Sequence, residues 1–307
     1  MSYLATPLSL CAVLGFAVAG AACSHADAPP PGNMPASPAQ PATAATTPPA
    51  PGTSTAIGPI DPALREALAG SVRTDAERAR DPARHPAETL TFFGLKSDMH
   101  VVELWPGGGW YTAILGPYLR DRGQLTITTA GTGGDPNGEE TKQAVAMAKR
   151  IADHPNELGK VALQTLASSP DKASFGPDGS ADLVLTFRNV HNWIPGNIAP
   201  NVFAAAARVL KHGGVLGVVD HRAASDLTVK QIDDTGYVSE AQVIALAKAA
   251  GLELEARSEV NANPKDTKDY PHGVWSLPPT YSGGDVDRAK FAAIGESDRM
   301  TLRFRKP

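Results

Sequence analysis

The chain alternates short apolar runs with longer segments in which apolar residues recur every three or four positions. The short runs predict seven strands: "MHVVEL", "GQLTITTA", "KVALQTLA", "ADLVLTF", "GVLGVVDH", "LELEARSEV" and "RMTLRFRK". The longer segments predict helices: "WYTAILGPYLRD", "EETKQAVAMAKRIADH", "NVFAAAARVL" and "SEAQVIALAKAAG". Continuous Val, Leu and Ile in the strands indicates burial on both faces. We therefore predict an α/β fold, a doubly wound and mostly parallel seven-stranded sheet with helices on both faces.

The folded domain is predicted over residues 59–307. Its first helix starts at "DPALREALAGSV", where Asp61 is the capping residue and Pro62 takes the first helical position. In a doubly wound sheet, ligands bind outside the carboxyl ends of the strands. The polar residues that directly follow each strand are therefore the candidates for a functional site.

The first 58 residues differ from the predicted domain. "LSLCAVLGFAVAGAAC" is an uncharged apolar stretch that ends in small residues at Cys23, and it is shorter than the roughly 20 residues of a membrane-spanning helix. It predicts a signal peptide over residues 1–23, similar to that of bacterial lipoproteins. Residues 24–58 are rich in Pro, Ala and Thr and hold few bulky apolar side chains, which predicts a disordered tether.

This N-terminus predicts a periplasmic lipoprotein, anchored in the outer membrane by a lipid on Cys23. Ser24 after the cysteine resembles the outer-membrane sorting pattern, and we expect membrane contact only through this anchor. Gly20 stands where lipoproteins usually carry Leu, and "MSYLATPLSL" has no positive charge. Two alternatives therefore stay open: simple secretion, and a misassigned start codon that would leave the protein in the cytoplasm.

The composition is that of a globular protein, with 42% hydrophobic and 20% charged residues in 307. The formal net charge is −4, and the Lys and Arg residues are scattered along the chain. Because no basic stripe is present to neutralise phosphates, we expect no nucleic-acid partner.

A glycine-rich turn follows the first predicted strand in "VVELWPGGGWYTAIL". Glu103 closes the strand, Gly107, Gly108 and Gly109 form the turn, and a helix follows. Glycines let backbone amides approach a ligand, and the free N–H groups at a helix start favour anionic groups. The alternative is a tight turn that needs glycine only for packing.

Together with "ADLVLTFRNVHNW" and "AARVLKHGGVLGVVDH", this segment resembles the class I S-adenosylmethionine-dependent methyltransferases over essentially all of the predicted domain. The resemblance implies a Rossmann-like fold with an antiparallel last strand, and S-adenosyl-L-methionine as cofactor. It implies that the cofactor-binding residues are Glu103, Gly107, Gly108, Gly109 and Asn189. Trp105 replaces the first glycine of the family motif. Thr129 and Ala130 end the second strand where the family places an acid for the ribose hydroxyls, and Asp135 follows in the next loop.

Methyl transfer to a hydroxyl or an acidic carbon needs a base near the attacking atom. The ends of the fourth and fifth strands offer His191, Asp220 and His221, and we predict these three as catalytic residues. The alternative is that they are loop residues satisfied by backbone hydrogen bonds. Imidazole and carboxylate also suit divalent ions, but no close ligand spacing indicates a metal, and we predict none.

Two further segments are expected to shape a substrate pocket. "VNANPKDTKDYPHGVWSLPPTYSGGD" is too long for a simple connection and predicts a lid or an ordered loop, with Asn261, Asn263, Asp266, Lys268, His272 and Trp275 as its polar and aromatic residues. "RTDAERARDPARHPAETLTFFGL" lies where the family often closes a cap over the cofactor. A solvated charged helix is the alternative for this second segment.

The predicted function is therefore methyl transfer from S-adenosylmethionine to a small-molecule or protein acceptor. The alternative, from a different class, is a tethered periplasmic binding module that keeps the methyltransferase fold without catalysis. The sequence leaves the oligomeric state open.

Overall fold

A computed structural model of the chain describes residues 57–129, 135, 137–165 and 173–307. The predicted signal peptide, Cys23 and the tether up to residue 56 lie outside the described residues, as does Ala130. Among the described residues, no helix combines the length and apolar character needed to cross a membrane.

The described strands form one mixed sheet in the order β3-β2-β1-β4-β5-β7-β6. The strands are β1 His100–Leu104, β2 Gln124–Thr129, β3 Ala162–Thr165, β4 Ala181–Phe187, β5 Leu210–His221, β6 Glu253–Ser258 and β7 Arg299–Arg305. The first five pair in parallel, and β7 runs antiparallel to both β5 and β6. The predicted seven-stranded, doubly wound sheet with an antiparallel last strand is confirmed.

Helices connect the strands and cover both faces of the sheet. Ahead of β1 lie α1 Pro62–Ala69, α2 Asp75–Arg78, α3 Asp81–Arg84 and α4 Pro86–Phe92. The helices that follow are α5 Thr112–Leu119, α6 Glu139–Asp153, α7 Pro155–Leu158, α8 Val190–Trp193, α9 Ala199–Val209, α10 Val229–Thr235, α11 Glu240–Ala249 and α12 Arg288–Ile294. A 3₁₀ turn over Gly273–Ser276 interrupts the long loop between β6 and α12.

The start of the folded chain has the predicted cap. Asp61 accepts a hydrogen bond from the Ala63 N–H at 2.9 Å, with Pro62 at the first helical position of α1. The other carboxylate oxygen of Asp61 accepts from the Tyr118 hydroxyl at 2.7 Å, which ties α1 to α5. The first helix is therefore held against α5.

The continuous apolar runs are explained by burial on both faces of the sheet. Val101 of β1 packs with Leu183 and Leu185 of β4 in one core, whereas the adjacent Val102 packs with Val184 in the core on the opposite face. All of these side chains are almost completely buried. Successive residues of a strand point to opposite faces of the sheet. Because both faces are covered here, neighbouring positions such as Val101 and Val102 are both apolar.

The direction in which the chain adds strands reverses at β1. Its parallel neighbours are β2 on one side and β4 on the other. At such a switch point the connecting segments diverge to opposite faces and leave a crevice outside the carboxyl ends of the strands. The candidate site lies in that crevice.

Candidate active site

A cavity of about 800 Å³ opens at the carboxyl ends of β1, β4 and β5. Its walls come from the glycine turn, the segments after β4 and β5, the α2–α3 region, the start of α6, the long loop with its 3₁₀ turn, and the residues just before β7. A cavity of this size is in the range of small-molecule sites. His191, His221, Asn189, Gly107 and Gly108 all line it, so most of the predicted site residues come together.

The three glycines of the turn have different roles. A Cβ atom at Gly107 or Gly108 would meet no atom within 4 Å, so their backbone is open to a ligand. A Cβ at Gly109 would lie 2.6 Å from Cε of Met147 in α6. Packing therefore explains Gly109, whereas Gly107 and Gly108 form a cradle that a side chain would fill.

Trp105 has a left-handed backbone conformation, which is usually adopted by glycine. Its φ is 45°, in the left-handed region, which costs a side-chain-bearing residue about 1–2 kcal/mol. Its N–H donates to Oγ1 of Thr128 at 3.0 Å, and its indole packs against Trp193 with the ring centroids 5.1 Å apart. The tryptophan thus keeps the turn and lines one side of the cavity.

The structure places Glu103 beneath the glycine turn, outside the lining of the cavity. Its side chain is buried, and it accepts a hydrogen bond from the Thr112 hydroxyl at 2.6 Å. Burial raises the pKa of Glu103 to about 7, although the Thr112 hydrogen bond and the charge of Arg150 oppose the rise. Glu103 therefore fixes the start of α5, and its contact with a cofactor stays a prediction.

Asn189 clamps the end of β4 to the beginning of the glycine turn. Its Nδ2 donates to the carbonyl of Leu104 at 3.0 Å, to Oγ1 of Thr186 at 3.1 Å and to the carbonyl of Trp105 at 3.3 Å. Asn189 lines the cavity while holding the left-handed turn in place. It therefore positions the turn in addition to offering a polar surface.

A buried carboxylate orients one of the two predicted histidines. Asp220 is fully buried, and its Oδ1 lies 2.8 Å from Nδ1 of His191. The same carboxylate accepts from the backbone N–H groups of Val190 at 2.7 Å, His191 at 3.3 Å and His221 at 2.7 Å. Because an ionised carboxylate only accepts, Nδ1 of His191 carries the proton and Nε2 is left as the basic nitrogen.

The second histidine lies beside the first. The rings of His191 and His221 are 5.0 Å apart between centroids, and Nδ1 of His221 lies 2.5 Å from Oγ of Ser297. Burial, together with the charges of His191 and Arg188, lowers the pKa of His221 well below its ordinary value. His221 is therefore neutral at pH 7.

These three side chains also meet the distance requirement for a metal site, since their possible ligand atoms lie within 4.8 Å of one another. The chemistry of the donors argues for a different use. Both oxygens of Asp220 are engaged by donors from the protein, and Nδ1 of His191 is one of those donors. Asp220 is therefore occupied as an acceptor, and its contact with Nδ1 orients the ring of His191.

The segment ahead of β1 forms a cap and is not a solvated helix. Arg73 and Arg84 are almost fully buried, and their guanidinium groups lie 5.0 Å and 4.9 Å from the ring centroid of Trp110. Arg80 and Arg84 line the cavity. The cap is therefore built on the tryptophan that directly follows the glycine turn.

The long loop before β7 is ordered by its own polar side chains. Asp266 accepts from the Tyr237 hydroxyl at 2.9 Å and from the Asp298 N–H at 2.7 Å, while Asn261 Nδ2 donates to Thr301 Oγ1 at 2.9 Å. Of the six residues predicted to face a substrate, Trp275 lines the cavity. Asn261, Asn263 and Asp266 instead hold the loop in place.

Some lining residues were not identified as candidates in the sequence. Glu140 and Gln143, in the first turns of α6, line the cavity, as do Glu296 and Ser297 just before β7. Glu140 also borders a small pocket beside Thr129, at the end of β2. Asp135 is exposed and accepts from the Asn137 N–H at 3.0 Å, so it stabilises its own turn. Only the position of α6 after β2 could have indicated Glu140.

The chain is similar to known proteins in its fold, but not closely in its sequence. No protein-family model matches the chain, and no curated protein matches it. The crystal structure of the [4+2]-cyclase SpnF superposes with a TM-score of 0.52 at 18% identity, covering 80% of this chain and 92% of SpnF.

Two methyltransferase structures are also similar. A SAM-dependent methyltransferase from Aquifex aeolicus has a TM-score of 0.47 at 17% identity, covering 75% of this chain and 93% of its own. A TehB-like SAM-dependent methyltransferase from Corynebacterium glutamicum has a TM-score of 0.42 at 16% identity, covering 76% and 96%. With its strand order and antiparallel β7, the chain has the Rossmann-like methyltransferase fold.

Proposed function

We propose that this protein is an S-adenosylmethionine-dependent methyltransferase that acts on a small-molecule or protein acceptor. One observation carries the proposal: the open backbone of Gly107 and Gly108 and the Asp220–His191 pair meet at one cavity. A fold alone does not fix a reaction, so the argument rests on this site.

The residues of the cavity fit the cofactor. Gly107 and Gly108 would admit its methionine part, since no side chain occupies the space above them. Glu140 would accept from the ribose hydroxyls, because its carboxylate lies beside the end of β2, where the family carries an acid. When bound, S-adenosylmethionine supplies an electrophilic methyl group.

The protein's own part in the reaction is positioning and proton transfer. Nε2 of His191 accepts the proton of an acceptor hydroxyl, and Asp220 stabilises the imidazolium that results. His221 is neutral and contacts Ser297, so it adds no competing positive charge next to the base. Trp193 and Trp275 are apolar walls that reduce the access of water to the site.

Thermal unfolding of the full chain with and without S-adenosylmethionine or S-adenosylhomocysteine tests the proposal. Binding to the folded state alone adds about 2.7 kcal/mol when the ligand is at 100 times its Kd. The proposal therefore predicts a higher Tm with either compound and no change with adenosine at the same concentration. A binding module that keeps only the fold would be indifferent to all three compounds, and that result would contradict the proposal.

We also propose that the protein is exported and anchored through Cys23, as its N-terminal sequence indicates. Expressed in a Gram-negative host with labelled palmitate, the full chain should carry the label and sediment with membranes. Cys23→Ser should remove both properties, with Cys11→Ser as the matched control. A soluble and unlabelled wild type would contradict the lipid anchor, and its recovery in the periplasmic or the cytoplasmic fraction would distinguish simple secretion from the cytoplasmic alternative.

A further inference from the structure

Three arginines pair with one carboxylate at the edge of the cavity. Glu296 pairs with Nε of Arg80 at 2.8 Å, with Nε of Arg84 at 3.0 Å and with Nη1 of Arg299 at 3.0 Å. Although burial would raise the pKa of Glu296, the charges of Arg299, Arg84 and Arg80 lower it to about 2. Glu296 is therefore ionised at pH 7, and it is a single negative charge among several positive ones.

Arg188, the residue after β4, is the cation that this carboxylate leaves unpaired. Its guanidinium lines the cavity and makes no hydrogen bond with any residue that the structure describes. Burial and the charge of Arg299 lower the pKa of Arg188 to about 10, which still leaves it protonated at neutral pH. Its backbone also has a φ of 63°, in the left-handed region that non-glycine residues seldom adopt.

Two of the other arginines keep unused donors. Within the described part of the chain, Nη2 of Arg84 and Nη2 of Arg80 are buried and have no hydrogen-bond partner. The Arg84 side chain is only 2% exposed. Unpaired donors of this kind cost stability, and an anion bound in the cavity would complete the hydrogen bonds of Arg80 and Arg84.

Ser297, the residue after Glu296, joins the arginine cluster to the histidines, because its Oγ lies 2.5 Å from Nδ1 of His221. The charges of Arg188, Arg299 and Arg84 all act on His221, which lies beside His191. An anionic group bound by these arginines would therefore hold the rest of its molecule close to the proposed base. The same cavity has aromatic walls at Trp193 and Trp275.

We propose that the methyl acceptor is a small-molecule acid, whose carboxylate or phosphate group binds Arg188, Arg84 and Arg80. This inference rests on the proposed function, because it names the class of acceptor for that same site. Guanidinium groups bind both anions through paired, charge-assisted hydrogen bonds.

Calorimetric titration of the full chain with benzoate, phenyl phosphate and the neutral benzamide tests the inference. Each compound is titrated at constant ionic strength, with and without S-adenosylhomocysteine. At least one acid should bind about tenfold or more tightly than benzamide, since one charge-assisted hydrogen bond has about that effect. The tighter of the two acids identifies whether the site selects a carboxylate or a phosphate.

Two matched variants assign the effect to the cluster. Arg188→Gln should abolish the preference for acids and should raise the Tm, because it removes an unpaired cation and breaks no hydrogen bond. Arg120→Gln changes an exposed arginine outside the cavity and should keep the preference. Arg80→Gln is the second cluster variant and should weaken acid binding, so the test does not depend on the folding of one protein.

Three results would overturn the inference. The first is equal binding of benzoate, phenyl phosphate and benzamide, or no measurable binding of any of them. The second is an unchanged preference for acids in both cluster variants. The third is a tenfold weaker affinity of Arg188→Gln for S-adenosylhomocysteine, which would assign the arginines to the cofactor. Failure of S-adenosylhomocysteine to bind the wild type would instead contradict the proposed function, while the acid preference would still be measured without it.

Discussion

Two buried carboxylates at strand ends have different hydrogen-bond partners and different roles. Asp220 accepts hydrogen bonds from the backbone and from His191, and it orients that ring. Glu103 accepts one from a neutral hydroxyl, and burial raises its pKa to about 7. The strand-end rule identified both residues in the sequence. It could not separate their roles, because their partners are set by the packing of other elements.

Asp220→Asn is expected to disturb His191 without emptying the cofactor site. The variant should lose about 2 kcal/mol or more in free energy of unfolding, because hydrogen bonds to a charged group contribute about 1.5–3 kcal/mol each. In ¹⁵N-histidine NMR spectra, the wild type should show a protected, downfield Nδ1–H of His191 that the variant lacks. Affinity for S-adenosylhomocysteine should stay unchanged, since Asp220 does not line the cavity.

His221→Ala is the matched control and should retain the downfield proton. If the Asp220→Asn spectrum kept that proton, the carboxylate would not be the group that orients His191.

Glu103 gives the molecule a predictable dependence of stability on pH. Its pKa is about 7 in the folded state, compared with the ordinary value of 4.5 that applies to the unfolded state. Between these two pH values the folded state keeps a proton that the unfolded state has lost. Stability therefore falls as the pH rises from 4.5 to 7, by an amount of the order of 3 kcal/mol from this group. Glu103→Gln should remove that fall, as measured by urea unfolding at pH 5, 6, 7 and 8.

Other groups also titrate in this pH range, so the test is the difference between the pH profiles of the wild type and Glu103→Gln. Parallel pH profiles for the wild type and Glu103→Gln would show that the buried carboxyl is not protonated.

At the scale of elements, the strands were predictable and the loops were not. A parallel strand buried on both faces needs consecutive apolar residues, and β1, β4 and β5 each contain them. The conformation of the loop before β7 depends instead on pairings such as Asp266 with Tyr237, which no local periodicity encodes. The sequence therefore predicted an ordered loop there, and assigned to the cavity several polar residues that in fact hold the loop together.

The 3₁₀ turn that carries Trp275 is expected to depend on Gly273. A Cβ at Gly273, whose φ is 50°, would lie 2.1 Å from the carbonyl oxygen of Thr235 at the end of α10. Gly273→Ala should therefore push the turn away from α10 and move Trp275 from the cavity wall. Hydrogen exchange should become faster over residues 260–298, with little change in the central strands.

Gly284→Ala is a matched control in the same loop. Its φ is 63°, but a Cβ there would meet no atom within 4 Å, so it carries the backbone strain without the clash. Equal exchange in the two variants would mean that contact with α10 does not hold the turn.

At the scale of the whole molecule, the site combines segments that are far apart in the chain. Arg80 and Glu296 are separated by 216 residues, and Asn189 lies 84 residues from the carbonyl of Trp105 that it contacts. The fold was predictable because periodicity and strand order determine it. The arginine cluster was not, because it exists only after the cap and the last loop have packed together.

The proposed cofactor site depends on one surface, the bare backbone of the glycine turn. The most direct test is calorimetric titration of S-adenosylhomocysteine into the full chain and into Gly108→Val, with Gly58→Val as the control. Gly108 and Gly58 both have room for a side chain and lie outside the left-handed region, so neither substitution should destabilise the fold. The account predicts saturable binding to the wild type and the control, and its loss in Gly108→Val. Equal binding by all three proteins would contradict the assignment of the turn, and no binding by the wild type would contradict the proposed function itself.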